Sequence, residues 1–250
     1  MEKTNIIFGI RPVIETIKSG REIDKLFIQK GLKGRNFFDL RCLIEKYKIP
    51  CQYVPVEKLN HITQKNHQGV IGYISEIRYQ NIENILPFVY EKGKNPLILI
   101  LDRITDVRNM GAIARTAECA GVDAIIVPTK ETAQINADAI KTSAGALSKI
   151  PVCKEDDFIH TFNFLKNSGL QIIACTEKSD VFYDTIDFTI PTAIIIGSEK
   201  DGISQRYLKV SDNIVKIPIL GEIESLNVSV ATGIMLYEAI KQRAKLVSSQ

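Results

Sequence analysis

Hydrophobic positions follow two different rhythms along the chain. Up to residue 80 the patterns are short: RPVIETIKSG and FFDLRCLIEKYK repeat at helical spacing, while KLFIQK, CQYVPV and GVIGYISEI read as strands. These predict a small α/β module over residues 1–80. Residues 81–96, NIENILPFVYEKGKNP, are polar at both ends, hold two prolines and have an apolar middle, which predicts a connector holding a short helix. From residue 97 onward, LILILD, AIIVP, QIIACT, TAIIIG and NIVKIPIL are continuous apolar runs separated by helical segments such as NMGAIARTAECAG and DDFIHTFNFLKNSG. Strands that are apolar on both faces predict a second α/β unit over residues 97–250, with a mainly parallel sheet covered on both sides. Ligands of such sheets lie at the carboxyl ends of the strands. In the final stretch, ESLNVSVATGIMLYEAIKQR, the helical spacing of Val230, Ile234, Tyr237 and Ile240 predicts a buried face. Its beginning is crowded with Glu224, Ser225, Asn227 and Ser229, more polar groups than one helix cap requires.

Composition narrows the class without identifying it. With 45% hydrophobic and 24% charged residues the chain has the balance of a soluble globular protein, and its longest apolar runs are strand length, too short to span a bilayer. Five cysteines, Cys42, Cys51, Cys119, Cys153 and Cys175, are odd in number and never spaced as CxxC, so neither a disulfide framework nor a metal site is expected. A reducing cytoplasm is the expected location, away from membranes. Net charge is only +3, but residues 1–80 hold 14 Lys and Arg against 8 Asp and Glu, while the remainder hold 18 against 21. The split of +6 against −3 places the surface for a polyanion at the N-terminal end.

Candidate chemistry concentrates at three strand ends. LILILD leads into RITDVRNMGAIARTAECAG, TAIIIG into SEKDG, and IVKIPIL into GEIESLN, each a polar turn containing glycine. Taken singly such turns mark chain reversal, and GSEKDG lacks the GxGxxG spacing that cradles a pyrophosphate, which argues against a dinucleotide-dependent oxidoreductase. Together, DVRNMGAIARTA, GSEKDG and IPILGEIESLNVSVA resemble the three ordered motifs of the SpoU-type, or SPOUT, RNA 2′-O-ribose methyltransferases. KTSAGALSKIPV resembles a further segment of that family, and FGIRPV with HQGVIGYI resembles the small RNA-recruiting domain of its two-domain members. Val107 stands where proline is usual, and Arg11 where histidine is usual.

The resemblance implies a SPOUT trefoil-knot catalytic domain that binds S-adenosylmethionine, acts on RNA and pairs as a homodimer. It implies cofactor contacts at Gly197, Ile217 and Leu226, with Thr176 as a fourth candidate. It assigns Arg115 to the target nucleotide's phosphate and proton; Asn109 is expected to hold Arg115 or the ribose, Glu199 to orient substrate or brace the third loop, and Ser225 and Asn227 to bond the substrate or the cofactor edge. Glu222 and Glu224 read as surface charge. No histidine or cysteine falls in the three motifs, so an ordinary general base is missing. Arginine stays protonated in proteins, which favours Arg115 as a clamp that orients phosphate and hydroxyl, and leaves guanidine and phosphate both open as proton acceptor. A guanosine of large-subunit ribosomal RNA is the expected target, with transfer RNA, or a non-catalytic RNA-binding role, as the alternatives.

Overall fold

The computed structural model describes residues 6–248, and the chain divides into two units, Met1–Arg78 and Tyr79–Gln250. In the first unit β1 (Ile6–Phe8), α1 (Ile10–Lys18), β2 (Ile23–Gln29), α2 (Arg35–Lys46), β3 (Cys51–Val54), α3 (Val56–Ile62) and β4 (Val70–Ile74) build a four-stranded sheet of order β1-β4-β2-β3. Only β2 and β3 run parallel. On one face α1 and α2 bury Val13, Ile17, Leu40 and Ile44 against Leu26 and Ile28. On the other, α3 seats Leu59 against Val54 and Ile71. The sequence pattern had pointed to neither β1 nor α3, because three and seven residues are too few for a period to emerge.

The second unit runs α4 (Ile82–Glu91), β5 (Leu97–Asp102), α5 (Val107–Cys119), β6 (Ala124–Pro128), α6 (Ala137–Thr142), β7 (Val152–Glu155), α7 (Phe158–Asn167), β8 (Gln171–Cys175), β9 (Thr192–Gly197), α8 (Gln205–Leu208), β10 (Asn213–Val215) and α9 (Val228–Ser248). Its six strands form a wholly parallel sheet of order β10-β8-β9-β5-β6-β7. All six residues of β5 are buried, as a central strand covered on both faces requires. Ile98 and Ile100 face a core shared with Phe158, Phe162, Leu165 and Tyr207 of α7 and α8. Leu97, Leu99 and Leu101 alternate to the opposite face. There α5 packs on α6 and α9, and α9 also meets β9. Gly111 permits the α5–α6 contact, since a Cβ on it would lie 2.6 Å from Thr142 Cβ.

Three expectations are corrected. The helix foreseen inside a connector exists, but α4 buries Ile82 and Leu86 in the second unit's core, so residues 81–96 are not a free linker. The run NIVKIPIL is strand only through Val215. Pro218 cannot donate to a ladder, and Ile217 and Ile219 turn toward a cleft instead. On α9, Val228, Thr232, Met235, Leu236 and Ala239 are buried, whereas Val230 and Tyr237 are 51% and 54% exposed. This helix is apolar on two sides, and periodicity alone does not tell the inward stripe from the outward one.

Candidate active site

The cleft lies at the carboxyl ends of β8, β9 and β10, where a parallel sheet presents its ligands. It has a volume of about 500 Å³, within the usual range for small-molecule sites. Apolar walls come from Ile196, Ile217, Ile219, Leu226, Val228 and Ala231, and polar groups from Thr176, Lys178, Ser198, Glu199 and Ser225. Thus Gly197, Ile217, Leu226 and Thr176, the four positions expected at a cofactor, all line one cavity. Glu224, read from sequence as surface charge, lines it too. Burial pushes the Cys175 thiol on the same wall up to about 12, so it is protonated at neutral pH and supplies no thiolate.

Gly197 ends β9 where the chain doubles back. A Cβ there would lie 2.1 Å from the carbonyl carbon of Gly202, so only glycine lets the turn close. Ser198 and Gly202 exchange backbone hydrogen bonds of 3.2 and 2.9 Å across it. Glu199 is thereby carried to the rim, where its Oε1 accepts from Asn109 Nδ2 at 3.0 Å and from Asn227 Nδ2 at 2.8 Å. Asn227 Nδ2 also donates to Asn109 Oδ1 at 3.1 Å. One residue from each of the three sequence motifs therefore meets in a single hydrogen-bonded cluster.

The crowded start of α9 now has an explanation. Asn227 caps the helix, its Oδ1 accepting from Ser229 N at 3.0 Å, while its amide nitrogen reaches the cluster. Ser225 lines the cleft. At the start of α5 the cap is Asp106, which accepts from Asn109 N at 2.8 Å and leaves the Asn109 side chain free for Glu199. Val107 occupies the first position of α5, where proline would bring a preset φ but no hydrogen bond that valine lacks.

Arg115 stands apart. It is exposed, does not line the cleft, and its side chain makes no hydrogen bond or ion pair among the described residues. Six residues beyond Asn109 at ~100° per residue, it points roughly 120° away around α5. Sequence reasoning also missed Asp102, a buried carboxylate at the end of β5, and its neighbour Arg103. A charged pair closing an all-apolar strand was the available signal.

Fold and site together define a two-unit α/β protein whose larger unit holds a small-molecule cleft at the ends of its parallel strands, rimmed by an amide–carboxylate cluster. Comparison with known proteins places that arrangement. The model of the SpoU rRNA Methylase family matches residues 96–237, and that of RNA 2′-O ribose methyltransferase substrate binding matches residues 6–80. The Bacillus subtilis protein YacO, named for the TrmH family of tRNA/rRNA methyltransferases, is 30% identical over 242 residues, 97% of each chain. Among solved structures, an AdoMet-bound rRNA methyltransferase from Sinorhizobium meliloti is 27% identical with a TM-score of 0.59, covering 94% of this chain and 86% of its own. The A. aeolicus TrmH/SpoU tRNA modifying enzyme is 33% identical with a TM-score of 0.57, covering 66% of this chain and 85% of its own. The chain belongs to the SpoU family of RNA methylases.

Proposed function

We propose that the protein transfers a methyl group from S-adenosylmethionine to a ribose 2′-hydroxyl of a structured RNA, with a guanosine of large-subunit ribosomal RNA as the favoured target. The observation that carries this reading is the Asn109–Glu199–Asn227 cluster at the mouth of the cleft. A binding module has no need to tie three loops to one carboxylate beside a cavity. The cleft suits the donor, with apolar walls for an adenosine and methionine chain and polar groups of both signs, Lys178 and Glu199 among them, for its charged end. When bound, the donor supplies a methyl group on a sulfonium; the protein must hold the hydroxyl in line and neutralise charge as the bond forms. Glu199, anchored by two amides, fixes the rim against which the ribose rests. Arg115 orients the target's phosphate by charge rather than acting as a base.

Because Arg115 points away from its own chain's cleft, it completes the cleft of a second copy in a homodimer. The exposed Val230 and Tyr237 on α9 form the apolar stripe such an interface needs. The segment after β10 supports the trefoil threading expected of the family: Lys216 N donates to Val181 O at 2.8 Å and Tyr183 N to Lys216 O at 3.0 Å, tucking it beside the loop that follows β8. The first unit, with its +6 net charge, recruits the RNA, and the second does the chemistry, in the cytoplasm. Transfer RNA is the second reading, because 66% of the chain matches a tRNA modifying enzyme at 33% identity. Mapping ribose methylation in total RNA from a strain lacking this chain separates the two. Loss of one 2′-O-methyl in large-subunit RNA supports the first reading, loss in a transfer RNA the second, and an unchanged map refutes both.

A further inference from the structure

Asp102 and Arg103 lie outside the cleft lining, yet they hold the loop that forms its wall. Asp102 is 2% exposed, and a buried carboxylate is costly unless fully hydrogen-bonded. Its Oδ2 accepts from Ser204 N at 2.7 Å and Ser204 Oγ at 2.8 Å, and its Oδ1 from Arg103 Nε at 3.1 Å. Arg103 adopts φ +60°, a left-handed conformation unfavourable for any residue with a Cβ. In that conformation its guanidinium donates from Nη2 to Gly202 O at 3.1 Å as well as to Asp102. Gly202 O is also the acceptor that closes the turn from Ser198. Gly202 and Ser204, at the far end of the loop, are therefore held by this pair, and Asp102 pairs in register with Gly197 where the loop leaves β9.

We propose that Asp102 and Arg103 are positioning residues for the donor-binding wall, acting through Gly202 and Ser204 to hold Gly197, Ser198 and Glu199 in place. A backbone kept in a disfavoured region by an ion pair to a buried carboxylate is over-determined for a purpose. Packing alone would not need it, since a glycine at 103 would follow the same path without strain. Neither residue touches the cleft, so removing either should leave the cavity lined as before but its wall loose. The assignment rests on reading the cleft as the S-adenosylmethionine site, and the test separates the two claims.

The test uses the full-length protein as wild type, Arg103→Gly, Arg103→Lys and Asp102→Asn. Arg103→Gly relieves the left-handed φ while deleting the guanidinium, so the ligand-free protein should melt close to wild type. Its affinity for S-adenosylmethionine by calorimetry should fall at least tenfold. The KM for S-adenosylmethionine should rise while the KM for RNA stays unchanged, a split that general destabilisation would not produce. Asp102→Asn should follow the same direction, and Arg103→Lys, which keeps a cation within reach of Asp102, should recover part of the loss. Hydrogen–deuterium exchange at residues 198–204 reads the brace without any ligand and should accelerate in Arg103→Gly. Unchanged exchange there, or faster exchange with unaltered affinity, would overturn the positioning role. If wild type itself binds no S-adenosylmethionine, the donor reading falls, and the exchange result alone decides whether the brace holds the loop.

Discussion

Asn227 has two tasks that different substitutions separate. It caps α9 through Oδ1, and it ties the third loop to Glu199 and Asn109 through Nδ2. Alanine removes both, whereas serine keeps the cap and loses the tie. Loss of a cap costs about 1 kcal/mol. The two side-chain hydrogen bonds are exposed to competing water, so together they contribute roughly 1 kcal/mol, the low end of their range. Asn227→Ala should therefore lose about 2 kcal/mol and Asn227→Ser about 1 kcal/mol. For a unit of this size ~1 kcal/mol corresponds to roughly 2–4 °C in Tm, and the two variants should melt that far apart. Methyl transfer should not separate them. Each frees Glu199 on one side, and a loss of about 1.4 kcal/mol in transition-state stabilisation gives a tenfold drop in both. Thermal melts monitored by circular dichroism, with single-turnover transfer of tritiated methyl, measure the two effects independently. A serine variant with wild-type turnover would refute the link between cluster and chemistry, and equal melting of both variants would refute the cap.

Arg115→Ala should reduce turnover by at least ~100-fold with S-adenosylmethionine affinity unchanged, as calorimetry and a transfer assay would read, because the clamp role proposed for it acts in the transition state and not on the donor. If the protein pairs as proposed, with Arg115 serving the partner's cleft, lysine at Val230 and Tyr237 should yield a monomer in light scattering and abolish activity. A fragment of residues 79–250 should fold and bind S-adenosylmethionine but lose most of its salt-dependent RNA affinity. Starting instead at Asn95 removes Ile82 and Leu86 from the core and should yield aggregate. Burial pushes the Cys153 and Cys175 thiols up to about 12, so at pH 8 both are neutral. A thiol reagent should label exposed Cys42, Cys51 and Cys119 quickly, part-buried Cys175 slowly through the cleft, and buried Cys153 only on unfolding.

The fold of the second unit was legible because each central strand is apolar on both faces, and the cleft-lining positions Gly197, Ile217, Leu226 and Thr176 were legible because they lie at or beyond the ends of those strands, the first three within ordered motifs. What periodicity missed has physical reasons. Val230 and Tyr237 carry the same pattern as a core stripe, and only the packing of α5 and β9 against the other side of α9 turns them outward. Residues 81–96 looked like a connector because they are polar at both ends and hold two prolines, yet α4 accommodates Pro87 and buries Ile82 and Leu86. Arg115 was legible as a motif residue, but its direction relative to Asn109 needs the helix. The Asp102–Arg103 brace depends on contacts across about a hundred residues, from Asp102 to Ser204, which no local pattern encodes.

The central claim is that this cleft delivers a methyl to a ribose hydroxyl. Its most direct test incubates the full-length protein with S-adenosylmethionine labelled in the methyl group and with unmodified large-subunit ribosomal RNA or total transfer RNA, followed by digestion to nucleosides and mass spectrometry. The account predicts label in a 2′-O-methylated nucleoside, guanosine above the others, with none from the Arg115→Ala protein. Label on a base, or label that persists undiminished without Arg115, would contradict it.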